Sequence, residues 1–191
     1  MMHPDRGANL RLSRALGPLI AALLTAACGG TTPMGPSPED AETVRDDNSL
    51  FRAITQSDPF TGYTPFPNAD ELTEGRLNGS EAHRPIVRTS LNARALAALQ
   101  NGRLPDGAQF PAGSIVFKEI RPRADAAPTT YAVMYKDPGN PLAGNGWLWA
   151  EFAPNGSVGF STSNRGIGCT SCHLREQGPR NDLVRTFERQ R

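Results

Sequence analysis

Four short runs in the second half of the chain alternate in polarity: SIVFKEI (114–120), TYAVMYK (130–136), GWLWAEF (146–152) and SVGFS (157–161). A period of two sends successive side chains to opposite faces, which suits an extended chain and not a helix. The last two runs flank Pro154, Asn155 and Gly156, which reads as a hairpin turn. Nineteen Gly and 17 Pro among 191 residues leave little room for long helices. The expected fold is therefore α+β and mainly β, an antiparallel sheet with one or two short helices.

Ahead of these strands, SLNARALAALQNG predicts a helix over 91–101. Ser90 would be its N-cap, Gly102 its stop, and Leu91, Ala95, Ala98 and Leu99 its apolar face. Residues 41–85 scatter Phe51, Phe60, Tyr63 and Phe66 among prolines, which predicts an irregular wrap with a short helix near 39–55. The tail NDLVRTFERQ (181–190) suits a strand or a helix equally.

The N-terminal residues read as a targeting segment. Arg6, Arg11 and Arg14 precede an apolar run over 15–27 that ends in LTAAC. That pattern predicts a lipoprotein signal over 1–27, cleavage before Cys28, and a lipid on the Cys28 sulfur; the run is too short to remain as a membrane-spanning helix. The rival is an ordinary secretory signal with Cys28 a bystander. Residues 28–50, rich in Pro, Ser and Thr at 31–40, are expected to form the lipid anchor and flexible tether, and 51–191 the functional domain. The expected location is the bacterial periplasm, held to the membrane through Cys28. A net charge of +1 without a basic run gives no reason to expect nucleic acid as a partner.

With Cys28 assigned, the other two cysteines fall in GIGCTSCHLREQG (166–178) as Cys169-x-x-Cys172 followed directly by His173. This is the spacing that attaches c-type haem. Two thiols a short bend apart can each add to one haem vinyl group, and the adjacent imidazole reaches the iron as its proximal ligand. A zinc site would need two more ligands, and a thioredoxin-like pair would need a βαβ setting. One covalent haem c held by Cys169, Cys172 and His173 is the expected cofactor, packed by the sheet. A small electron-carrying cytochrome c has the motif early and a Met ligand downstream; here no Met follows His173, and only 18 residues do.

From about His83 to Phe187 the chain resembles the cytochrome P-460 family, with its gas-binding relatives the beta-type cytochromes c′. The likeness lies in VRTSLNARALAAL, LPDG, AGSIVFKEI, YAVMYKD, GCTSCH and NDLVRTF, in that order. It implies a β-rich haem fold, often homodimeric, a lysine bonded to the porphyrin edge in the enzymes, and oxidation of hydroxylamine. The matching lysine is Lys118, a candidate haem crosslink and catalytic residue. Its strand period puts Val116, Lys118 and Ile120 on one face. Burial there would give a neutral, nucleophilic amine, although the same residue could snorkel to water.

The distal carboxylate of the enzymes would match Ala132 or a neighbour, and no acid stands between Tyr131 and Lys136. The distal wall at Ala132 is thus expected to be apolar and poor at accepting protons, with the iron's sixth position vacant. Met134 is read as core in preference to ligand, and His83, ahead of Arg84 and Pro85, as a surface residue in preference to a distal or metal-binding one. Trp147 and Trp149 are expected to pack, and Arg165, Arg175 or Arg180 to meet the haem propionates. The predicted function is binding or redox conversion of a small gas or nitrogen oxide, nitric oxide or hydroxylamine, with a redox partner protein. Simple electron carriage and a merely structural haem are the rivals, so oxidoreductase activity is left open.

Overall fold

The computed structural model describes residues 43–77, 82–177 and 180–191; the signal segment and Cys28 lie outside the described residues. Seven strands form one antiparallel sheet: β1 (Thr64–Pro65), β2 (Thr73–Glu74), β3 (Ile86–Leu91), β4 (Ile115–Arg121), β5 (Thr130–Lys136), β6 (Trp147–Phe152) and β7 (Val158–Phe160). Their order is β1-β3-β4-β5-β6-β7, with β2 paired to the other end of β3. The four alternating runs are β4 to β7, and β5 covers 130–136 from end to end.

The period of two separates two cores. Ile115, Phe117, Tyr131, Val133, Tyr135, Leu148, Ala150 and Phe152 face one side, where Val44, Leu50, Ile54 and Tyr63 cover them. Val116, Met134, Trp147 and Trp149 face the other, under Phe66, Leu91, Ala95, Leu104, Phe110, Val184 and Phe187. Each large apolar side chain buried this way contributes about 1.5–3 kcal/mol. A sheet covered on both faces accounts for the apolar richness of its central strands. Val44 and Leu50, ahead of the expected domain start at 51, are fully buried in the first core.

That first cover is α1 (Asp47–Arg52), which continues into a π-helical turn over Ala53–Ser57. Asp46 caps it, taking the Ser49 amide at 2.7 Å. A helix was expected near 39–55; residues 39–42 lie outside the described residues. The rest of the N-terminal wrap includes two short strands, β1 and β2, which use backbone groups along the edge of β3.

The helix expected over 91–101 is corrected to five residues, α2 (Ala93–Ala97). Ser90 and Leu91 belong to β3, where pairing with β1 and β4 satisfies their backbone. Asn92 is the cap in place of Ser90: its Oδ1 accepts the amides of both Ala95 and Ile115, each at 3.0 Å. One side chain thus ends β3, starts α2 and holds the start of β4. The tail is a 3-10 helix over Arg185–Arg189, with Val184 and Phe187 buried in the second core.

Candidate functional site

The CTSCH motif is itself a helix, α3 (Cys169–His173). It follows two glycines with left-handed backbones, Gly166 at φ 72° and Gly168 at φ 98°. A Cβ on Gly166 would overlap the Trp149 ring, so only glycine lets the turn lie flat on the sheet. Cys169 and Cys172 are half-buried and are not joined in a disulfide. Together with His173 they line a cavity of about 270 Å³ against β4, β5 and β6. Burial, with Glu151 nearby, pushes the Cys169 thiol up to about 11, which marks it as protonated and not a reactive thiolate.

His173 is held at two points. Its Nδ1 lies 2.7 Å from the Leu183 carbonyl, an acceptor only, so Nδ1 carries the proton and Nε2 keeps a free lone pair. Trp149 stands edge-on to the imidazole with ring centroids 4.8 Å apart. The Leu183 carbonyl is presented by left-handed backbone at Asp182 (φ 52°) and Leu183 (φ 70°), a conformation unfavourable for non-glycine residues. What holds it there is a buried ion pair. Lys136 Nζ sits 2.8 Å from both carboxylate oxygens of Asp182. The same carboxylate takes the Phe110 amide at 2.9 Å, and the Asp182 carbonyl takes Trp147 Nε1–H at 3.0 Å. Burial pushes the His173 pKa down to about 4, so the ring is neutral at physiological pH.

Opposite α3, strand register builds the other wall. Lys118 pairs with Ala132, and Ala132 with Glu151, so the three form one row across β4, β5 and β6. All three line the cavity, with Met134 and Trp149 in the adjacent row. Ala132 is the gap in this row: its single methyl leaves the space between two long charged side chains open. Lys118 is half-buried, and burial together with the Arg189 guanidinium pushes its pKa down to about 8, against the opposing pull of Glu151. Burial raises the Glu151 pKa, partly offset by Lys118.

The wall is therefore not apolar, which corrects the expectation drawn from YAVMYKD: the carboxylate comes from β6, not β5. His83 is a second correction. Its side chain reaches the cavity with Nδ1 3.1 Å from Lys118 Nζ and Nε2 3.7 Å from Glu151 Oε1. The positive charge of Lys118, followed by burial, pushes the His83 pKa down to about 2. Local sequence around His83 gives no sign of this, because a left-handed turn at φ 62° redirects its side chain.

Arg165, Arg175 and Arg180 are exposed. The guanidiniums that line the cavity are those of Arg185 and Arg189 in the 3-10 tail. Arg185 pairs with Glu188 at 2.6 Å and reaches the Cys172 carbonyl at 3.2 Å, while Arg189 holds Thr73 Oγ1 at 2.8 Å and the Arg76 carbonyl at 2.7 Å. Their spacing of four in RTFER was the only available signal. Met134 is buried among the wall residues, consistent with core packing.

Two rim thiols three residues apart, a neutral imidazole with a free Nε2, and a cavity lined by apolar side chains with Lys118, Glu151, Arg185 and Arg189 form a donor set that fits haem. No membrane-crossing helix is present among the described residues. A family model described as cytochrome P460 matches residues 76–186, more than half of the chain. No curated protein matches it.

Proposed function

This chain belongs to the cytochrome P460 family, whose cofactor is haem, and on that basis we propose a lipid-anchored, periplasm-facing cytochrome with one covalent haem c, at which a small nitrogen species is bound and redox-converted. The observation that carries this reading is the meeting, in one cavity, of α3 with the row Lys118, Ala132 and Glu151. Cys169 and Cys172 would each add S–H across a vinyl double bond, sulfur to one carbon and hydrogen to the other, with no oxidant needed. When bound, the haem supplies iron redox chemistry and a coordination position for the nitrogen ligand.

The protein's own residues supply orientation and proton handling. The Leu183 carbonyl sets the His173 tautomer and ring direction. Glu151, on the sheet side of the cavity, is the group placed to accept a proton from hydroxylamine. Lys118, with its pKa lowered to about 8, gives up its proton more readily than an exposed lysine, and the family likeness implies a place for its amine at the porphyrin edge. Arg189 offers a guanidinium for a haem carboxylate. Electrons would leave to a redox partner protein.

Glu151→Gln keeps the shape and removes the base. Hydroxylamine turnover with an artificial electron acceptor is expected to fall by roughly 10²- to 10⁴-fold at unchanged haem content. Unchanged turnover would remove Glu151 from the mechanism. If the unaltered protein binds nitric oxide but never turns over hydroxylamine, gas binding alone is the function. The anchor is tested separately: Cys28→Ser should move the protein from the membrane fraction to the soluble fraction, and continued membrane partition would contradict lipid on Cys28.

A further inference from the structure

Among the described residues, the exposed large hydrophobic side chains are Leu72, Val158, Ile167 and Leu174. The two most exposed, Ile167 at 77% and Leu174 at 61%, stand at the two ends of α3. Single exposed apolar residues are ordinary on a protein surface. These two bracket the helix that carries both cysteines, and apolar side chains gathered within a polar rim mark contact sites. Backbone bonds alone fix both positions: the Ile167 amide donates to the Asn164 carbonyl and the Leu174 amide to the Thr170 carbonyl, each at 2.9 Å. Five helical residues span only about 7.5 Å, so one partner can cover both ends.

The charge here is one-sided. Residues 163–191 contain the acids Glu176, Asp182 and Glu188, and all of them turn inward. Glu176 accepts the Asn181 amide at 3.3 Å, and burial raises its pKa. The Asp182 side chain, on Lys136, and the Glu188 side chain, on Arg185, are each 6% exposed. Arg165, Arg175 and Arg180 are left in solvent, with Arg165 close to Ile167 in sequence and Arg175 next to Leu174. The whole chain carries a net charge of only +1, so the excess is local to this segment.

Two apolar side chains inside a basic margin fit a partner with an apolar centre and an acidic margin. Opposite charge steers such a partner in and raises its association rate roughly 10- to 10³-fold. The small apolar part suits the weak, short-lived encounters of redox pairs, which bury less than about 1,200 Å². A second copy of this chain suits it poorly, because a two-fold contact sets each arginine patch against itself. An anionic bilayer would meet the charge but accepts no electron. The helix under this face holds Cys169 and Cys172 half-buried at the cavity rim, so the porphyrin edge they bond would lie nearest to solvent here.

We infer that Ile167, Leu174, Arg165, Arg175 and Arg180 form the docking face for the electron acceptor, a small acidic redox protein. This rests on the haem reading above and gives the redox partner a place and a charge. One electron passes from the ferrous protein to the oxidised partner, leaving the ferric protein and a reduced partner; no bond is made or broken. The arginines assemble the encounter, and the two apolar side chains seat it over α3.

The test uses the ferrous holoprotein and, as probe acceptor, plastocyanin, an acidic blue-copper protein. Its oxidation of the holoprotein, followed by loss of the blue copper band, should slow at least tenfold as salt screens the charges. Arg165→Glu with Arg175→Glu should lower the low-salt rate at least tenfold. Arg94→Glu with Arg123→Glu makes the same change in net charge from α2 and the β4–β5 connection, and should lower it less than about threefold. Ile167→Ser with Leu174→Ser should weaken binding of redox-inert, cadmium-substituted plastocyanin, read from its nuclear magnetic resonance shifts. Oxidation by benzoquinone, small and neutral, should stay within about twofold in every variant. If both arginine pairs slow plastocyanin equally, net charge alone steers and the face is refuted; a rate indifferent to salt, or binding that survives both serines, refutes it too. Two other results would give the face a different occupant and overturn the inference. One is co-sedimentation of the Cys28→Ser protein with phosphatidylglycerol vesicles that depends on Arg165 and Arg175; the other is a dimer that Leu174→Ser takes apart. A protein with no haem on its 166–175 peptide defeats the underlying haem reading instead, so the two failures are distinguishable.

Discussion

Lys136→Met is expected to destabilise the fold by about 3–5 kcal/mol, the usual cost of leaving one buried charge without its partner. The pair it breaks is deeply placed: the Lys136 and Asp182 side chains are 2% and 6% exposed. Lys136 also lies over the Trp147 ring, 4.9 Å from its centroid. Chemical denaturation of the variant should show the loss as a lower midpoint at unchanged slope. Lys136→Met combined with Asp182→Asn removes both charges while keeping an acceptor for the Phe110 amide, and should recover part of the loss. If the double variant is as unstable as the sum of its parts, the two residues do not act as a pair. The consequence extends to the site, because Asp182 positions the carbonyl that orients His173. A fold that survives Lys136→Met should still hold the His173 ring less firmly.

The second large effect concerns the cofactor. Cys169→Ser with Cys172→Ser is expected to abolish covalent haem altogether, since a serine hydroxyl does not make the thioether. In cells equipped for haem attachment, the unaltered chain should keep its haem stain on a denaturing gel and the double variant should show none. Either single variant should retain one tether. A double variant that stains like the unaltered chain would place the attachment elsewhere, and Lys118 would be the first residue to examine. Because bound haem stabilises only the folded state, the double variant should also melt at a lower temperature.

The residues show why some of this was legible in sequence and some was not. The strands β4 to β7 announced themselves because alternation is a local property, and each run is bounded by its own turn residues. The same counting put Lys118 on the face of Val116, and both line the cavity. The α3 motif was legible because its chemistry is confined to five consecutive residues. The helix over 91–101 misled because Ala- and Leu-rich local propensity favours helix, while two neighbouring strands claim the backbone of Ser90 and Leu91. Glu151 and His83 were illegible for a different reason. Glu151 enters the site only through the β5–β6 register that sets it beside Ala132. His83 enters through a turn whose direction its neighbours in sequence do not specify. Both are tertiary facts, and a strand examined alone, as YAVMYKD was, cannot report the side chain standing next to it.

The central claim, that one haem is bonded to Cys169 and Cys172 beside the ligand His173, reduces to the mass of one peptide. Trypsin cuts after Arg165 and Arg175, releasing residues 166–175 with both cysteines and the histidine. From protein matured in cells that attach haem, that peptide should carry the added mass of one haem and have no free thiol. The bare peptide mass, with both thiols open to alkylation, would contradict the account.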